Sequence, residues 1–195
     1  MKKKGILILS GALVVGFFAI NSYDKDIKKD IIYSDAILVD YDKNQLVNDA
    51  DVIISGEVIS SEVELDFEGL PATDYKIKVN SIFKGNPGEV VEVRTSGGET
   101  DDIKFIPDDK EALFEIGEEV VVFLTNEKGD REDKDNFGYY VLGQHQGKFK
   151  NYNGILKNGE YEFNYSNLQS ELMNINEQNE KARLRKIDSS MGDEI

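Results

Sequence analysis

Along the middle of the chain apolar and polar positions alternate with a period of two. Val63, Leu65 and Phe67 alternate with Glu62, Glu64 and Asp66, and Tyr75, Ile77 and Val79 alternate with Lys76, Lys78 and Asn80 ahead of Phe83. Successive side chains of a strand point to opposite faces, so these runs predict strands buried on one side. Val52, Ile53 and Ile54 lead through Gly56 to Val58, and the near-continuous apolar run at 120–124 predicts a central strand. Val90, Val91 and Val93 lie between the turn cluster 84–88 and the Ser96-Gly97-Gly98 break. Short aromatic strands are expected at 137–142, 148–152 and 161–165, separated by Gly143, Gly147, Gly154 and Gly159. The spacing predicts a mainly β fold, a small antiparallel barrel or meander. Leu46 and Val47 among polar residues predict a short helix within 40–50. Leu168, Leu172, Met173 and Ile175, after Ser166 as a candidate cap, predict a C-terminal helix packed on the barrel. The stretch 99–115 reads as a long acidic loop across the domain face, and 126–136 as a charged surface loop.

The N-terminus has a different pattern. Lys2, Lys3 and Lys4 precede residues 5–20, which carry no charge and a single hydroxyl, Ser10. Lysines abutting an unbroken apolar run mark an export segment, with the lysines on the cytoplasmic side and the following domain outside. A small-x-small cleavage site is poorly formed, because Asn21 stands two residues after Ala19. An uncleaved membrane anchor is therefore favoured over a cleaved signal peptide and a secreted product. Four regions follow: a signal-anchor or signal peptide at 1–22, a polar spacer at 23–39, a β domain with its terminal helix at 40–187, and a flexible tail at 188–195.

Charge narrows the partners. The three N-terminal lysines apart, the chain carries 20 basic against 38 acidic side chains, a net of -18. Such a polyanion repels nucleic acid and anionic headgroups, which leaves the membrane contact to residues 5–20 and points to an envelope protein or wall component as partner. Cysteine is absent, which excludes disulfides, thiolate metal sites and thiol catalysis.

Four segments carry a resemblance when taken in order: Ala50-Asp-Val-Ile-Ile-Ser-Gly-Glu-Val58, Tyr75-Lys-Ile-Lys-Val-Asn-Ser-Ile-Phe-Lys-Gly85, Val91-Glu-Val-Arg-Thr-Ser-Gly-Gly98 and Gly117-Glu-Glu-Val-Val-Val-Phe-Leu124. They resemble the OB-fold-like barrel of the netrin-like and tissue-inhibitor-of-metalloproteinases superfamily, as it occurs in secreted bacterial domains. Val141-Leu-Gly-Gln-His-Gln-Gly-Lys-Phe149 is similar to a segment that often ends the bacterial versions. The resemblance implies an OB-like barrel in an extracytoplasmic setting. It does not imply zinc-protease inhibition, because the free N-terminal cysteine that chelates the target's zinc has no counterpart here.

Candidate chemistry is sparse. Ser81-Ile-Phe-Lys84 has the Ser-x-x-Lys spacing of penicillin-recognising enzymes but falls at a strand end, where alternation sends the two side chains to opposite faces. His145, the one histidine, sits in a polar loop without a nucleophile elbow, and reads as solvated or hydrogen-bonded. Residues 130–136 offer oxygen ligands but lack the glycine and distant glutamate of a calcium loop. No catalytic, metal or cofactor site is therefore assigned. Among the aromatics, Tyr139, Tyr140 and Tyr152 are the candidate binding residues, since amphipathic rings give contact area at low entropy cost. The functional expectation is a membrane-anchored, non-enzymatic interaction module of the bacterial envelope. A carboxylate-dependent envelope hydrolase and a purely structural surface protein are the alternatives.

Overall fold

The computed structural model describes residues 29–34 and 39–192, so the expected membrane-targeting helix at 1–22 lies outside the described residues. Among the described residues no helix is long and apolar enough to cross a membrane. In chain order the elements are β1 (Asp30–Tyr33), α1 (Lys43–Asp49), β2 (Val52–Leu65), β3 (Pro71–Lys84), β4 (Val90–Ser96), β5 (Gly98–Glu99), β6 (Ile103–Ile106), β7 (Glu119–Thr125), β8 (Tyr139–Val141), β9 (Lys148–Tyr152), β10 (Ile155–Lys157), β11 (Glu162–Asn164) and α2 (Leu168–Gly192).

The main sheet runs β11-β10-β9-β7-β2-β3-β4-β8, and β8 also pairs with β7. That second pairing bends β7, β2, β3, β4 and β8 into a closed five-stranded barrel, consistent with an OB-like one. The β4–β8 pair is parallel and the others in the ring are antiparallel. Alternation sorts the side chains of the central strands into two cores. Val52, Ile54 and Val58 of β2 and Val120, Val122 and Leu124 of β7 point into the barrel with Tyr75, Ile77, Val91 and Val93. Ile53, Val121 and Phe123 point outward, into a second core with Leu46 and Val47 of α1, Phe149, Leu156 and Phe163 of β9–β11, and Leu168 and Leu172 of α2. Strands buried on both faces need apolar residues at every position, which is why 52–54 and 120–124 read as unbroken runs.

Local signals start the helices. Asp42 accepts the Gln45 N–H at 2.8 Å while the Gln45 side chain takes the Asp42 N–H at 2.9 Å, a reciprocal cap on α1. Lys84 closes the other end of α1 by donating to the carbonyls of Val47 and Asn48, each at 2.8 Å. The C-terminal helix is capped one step earlier than the sequence suggests. Asn164 accepts the Ser166 N–H, a single 3-10 turn follows at Tyr165–Asn167, and α2 then runs on to Gly192, past the expected boundary at 187.

The structure departs from the sequence reading in three further places. Residues 30–33, within the stretch read as a spacer, form β1 and pair with β6 in a three-stranded sheet β1-β6-β5. The alternating acids and lysines around Ile31 and Ile32 masked a strand whose pairing partner lies far along the chain. Part of the expected loop 99–115 supplies that partner as the β5–β6 hairpin. Finally, the apolar stretch 52–58 and the alternating Val63 and Leu65 belong to one long strand with a bulge at Ile59, and Phe67 lies past its end in the turn.

Gly56 is needed where β2 crosses β3. A Cβ there would stand 2.5 Å from the Lys78 carbonyl oxygen and 2.6 Å from a methyl of Ile77, and backbone cannot yield as a side-chain tip can. Gly56→Ala should therefore cost about 1–3 kcal/mol in urea unfolding, as overpacking of a filled interior does. Gly88→Ala, whose added carbon would meet only Val90 O at 3.6 Å, should shift the urea midpoint little.

Candidate functional site

Three features of the barrel surface carry chemistry. The first is the outer half of β2. Its inner half pairs with β3 on one side and with β7 on the other, but the pairing with β7 ends at Glu57↔Glu119. The last ties on that side are the Val58 N–H to Glu118 O at 3.0 Å and the Gly117 N–H to Val58 O at 2.7 Å. Beyond them, the backbone of residues 59–65 is bonded to β3 alone among the described residues, so alternate N–H and C=O groups face outward unpaired. Along this edge Ile59, Val63 and Leu65 are 43, 39 and 54% exposed, and Ile116 beside the last tie is also exposed. Val63 and Leu65 share a face opposite Thr73 and Pro71, while Glu62 and Glu64 share the other, opposite Asp74 and Ala72. Residues 52–70 contain no lysine or arginine.

The second feature is an ion-pair network on the outside of the barrel. Arg94 of β4 is 2% exposed. It grips Asp74 of β3 with two bonds of 2.6 and 2.5 Å, Asp133 at 2.9 Å and Glu64 at 3.2 Å, and its guanidinium lies 4.5 Å from the centre of the Phe137 ring. Asp133 is also held by Arg131 at 2.5 and 2.8 Å. Arg131 donates in turn to the Tyr140 hydroxyl and stacks 4.4 Å over Phe67. The charged loop 126–138 is thus pinned across β3, β4 and the tip of the β2–β3 hairpin. Hydrogen bonding to Arg131, reinforced by Arg94, holds the Asp133 carboxyl below the usual carboxylate range. Burial pushes the Tyr140 phenol up to about 12.

The third is a groove of about 610 Å³, which includes Glu111, His145, Lys148, Tyr152 and Asn158 in its lining. His145 Nδ1 lies 3.1 Å from Lys110 O, and Nε2 3.2 Å from Glu160. Lys148 donates to Leu113 O and, at 2.8 Å, to Glu118, with its ammonium 4.4 Å from the centre of the Phe114 ring, and Lys150 binds Glu118 at 2.9 Å. Burial pushes the Glu111 carboxyl up to about 7, with Asp108 adding to the rise against hydrogen bonds from Ser96 and the Ala112 backbone.

The sequence candidates separate across these features. Tyr139 is half-buried against the barrel core, opposite Val93. Tyr140 belongs to the Arg131 network, its ring 4.8 Å from Phe137. Tyr152 is 55% exposed and lines the groove. β8 meets the Thr125 end of β7 and β9 its Val120 end, so the three tyrosines do not form one face. Lys84 is occupied at the end of α1, and Ser81 lies exposed on β3. In the candidate calcium loop, Asp133 is taken by two arginines, and among the described residues no cluster of three acids or histidines is placed to hold a metal. Sequence reasoning passed over Arg94, which alternates with apolar residues as any exposed strand residue does, and Gln146. The latter is buried, accepts the Tyr41 N–H at 2.8 Å and donates to Val39 O at 2.9 Å, so it moors the chain ahead of α1 to the barrel.

The fold defines the class, a closed five-stranded barrel with one open strand extension. No protein-family model matches the chain, and no curated protein shows significant similarity to it.

Two outcomes are expected. Arg94→Met leaves Asp74 and Asp133 buried without their cation and should lower stability to urea by about 3–5 kcal/mol. Arg94→Lys should restore little, since an ammonium cannot span both acids as the planar fork does. Glu111 titrates in the opposite sense to Asp133. Its folded value, about 7, lies above the ordinary 4.5, so its contribution is complete below about pH 4.5 and is lost as the pH rises through 7. The fall in urea midpoint across that window should shrink in Glu111→Gln.

Proposed function

We propose that the protein is an extracytoplasmic, membrane-anchored, non-enzymatic interaction module of the bacterial envelope, with a barrel of the netrin-like and tissue-inhibitor-of-metalloproteinases type. The single observation that carries the reading is the open β2 extension: exposed apolar side chains in line on a strand whose outer hydrogen-bonding groups are unpaired among the described residues. Edges of this kind recruit other chains unless blocked. The export pattern of residues 2–20 supports the location, and the order of the barrel strands with the 141–149 segment supports the family type. In that segment Phe149 fills the outer core, Gln146 moors the N-terminal chain, and Gly147 permits a close pass, since a Cβ there would sit 2.3 Å from Leu142 O.

One observation favours a second reading. Glu111, titrating near neutrality in the groove beside His145, has the property a general acid needs, which suits a carboxylate-dependent envelope hydrolase. The two readings separate by experiment. In cells producing the full-length chain, a photo-crosslinking amino acid at the exposed Ser61 should capture a discrete extracytoplasmic protein, identified by mass spectrometry. Capture of wall glycan alone from a crosslinker at Tyr152, together with glycan cleavage lost in Glu111→Gln, would replace the module by the hydrolase.

A further inference from the structure

We propose that the open edge of β2 at residues 59–65 docks an extended basic segment of a partner protein. That segment adds to the sheet as a further strand, with lysine or arginine beside Glu62 and Glu64 and apolar residues beside Val63 and Leu65. The inference rests on the interaction-module reading and names the partner's chemistry. Strand addition draws its affinity from main-chain hydrogen bonds and its specificity from alternate side chains, and both requirements are present on this edge. At about 3.3 Å per residue the unpaired stretch spans roughly 20 Å, enough for the N–H and C=O groups of an incoming strand to register against it.

Charge selects the occupant. Glu62 stands directly opposite Asp74, a pairing that opposes strand association unless a cation intervenes, whereas Glu57, further in and facing Glu119, has Lys78 opposite it on β3. Arg94 answers Asp74 and reaches Glu64, but among the described residues Glu62 has no cationic partner, and residues 52–70 supply no basic side chain. A second copy pairing edge to edge would set these acids against each other, so the arrangement that deters self-association is complementary to a basic strand. The bulge at Ile59 limits the extent of docking on the side next to Gly117. Pairing would cover Ile59, Val63 and Leu65, which are otherwise left in water on this surface.

The test uses the full-length chain in zwitterionic detergent and a short synthetic peptide alternating lysine and valine. Amide hydrogen exchange should slow at alternate residues within 59–65 on adding the peptide. Binding should weaken with salt, and Glu62→Lys should weaken it about tenfold, the charge contact having turned repulsive. N-methylation of the peptide on every second backbone nitrogen should abolish binding in one phase and leave it intact in the other, because only one edge of an added strand bonds to the sheet. A peptide alternating glutamate and valine that binds equally well would overturn the proposal, as would tolerance of both methylation phases or exchange unchanged at 59–65. Protection of 59–65 that appears with protein concentration alone would assign the edge to a second copy and also overturn it. If the peptide leaves 59–65 unprotected while crosslinking elsewhere on the barrel still captures an envelope protein, the docking edge fails and the module reading stands.

Discussion

The structure depends on ring closure by β8, the three-residue strand Tyr139–Val141 that pairs with both β4 and β7. Without it the main sheet would be an open, twisted layer, and the apolar face made by Val58, Tyr75, Ile77, Val91 and Val93 would lie in water. A strand this short contributes few ladder bonds, so its position is set by what surrounds it. On its outer side Phe137 packs against Tyr140, and the loop before it is held by Asp133 between two arginines. After it, the Leu142 N–H bonds to Phe123 O at 2.9 Å, and Gly147 lets the chain pass close to both. Arg94 is thus a closure residue as much as an ion-pair partner. It sits on β4 directly opposite Tyr140 of β8 and binds the loop that delivers β8.

Basic side chains are scarce in this acidic domain, and many of them are engaged at joints between elements. Lys43 of α1 joins Glu171 of α2 at 2.5 Å and the Glu162 carbonyl of β11 at 2.8 Å, with its ammonium 4.0 Å from the centre of the Phe163 ring. Lys84 ends α1, Lys148 ties the 107–118 loop to β9, and Arg131 ties the hairpin tip to the 126–138 loop. Ion pairs spent on internal joints leave the outer half of β2 with acids and exposed aliphatics and no cation within its own sequence. The internal architecture and the acidic, partly apolar character of the open edge therefore share an origin in the charge distribution.

Much of the barrel was legible from residues because its signals are local. Alternation marked β3 and the outer half of β2, unbroken apolar runs marked strands covered on both faces, and Leu46 with Val47 among polar residues marked α1. The surface chemistry was less legible. Arg94 occupies an outward position in an alternating strand, and only a loop arriving from residues 126–138 buries it. Tyr139, Tyr140 and Tyr152 look equivalent as aromatic strand residues, yet their strands meet opposite ends of β7. β1 was hidden for a similar reason: a four-residue strand with two isoleucines has no periodic signature of its own, and its identity rests on pairing with β6.

The sequence by itself determined the class of fold, the order of its strands, the strongly acidic net charge, and the exclusion of cysteine chemistry. Those follow from composition and short-range periodicity, which act within a few residues. Tertiary structure alone decided that β8 closes the ring, that Asp133 answers Arg94 instead of a metal ion, and that β2 outruns β7 to leave an edge open. Each of these depends on contacts between residues far apart in the chain, whose meeting is set by the register and twist of the whole sheet and leaves no mark on local spacing.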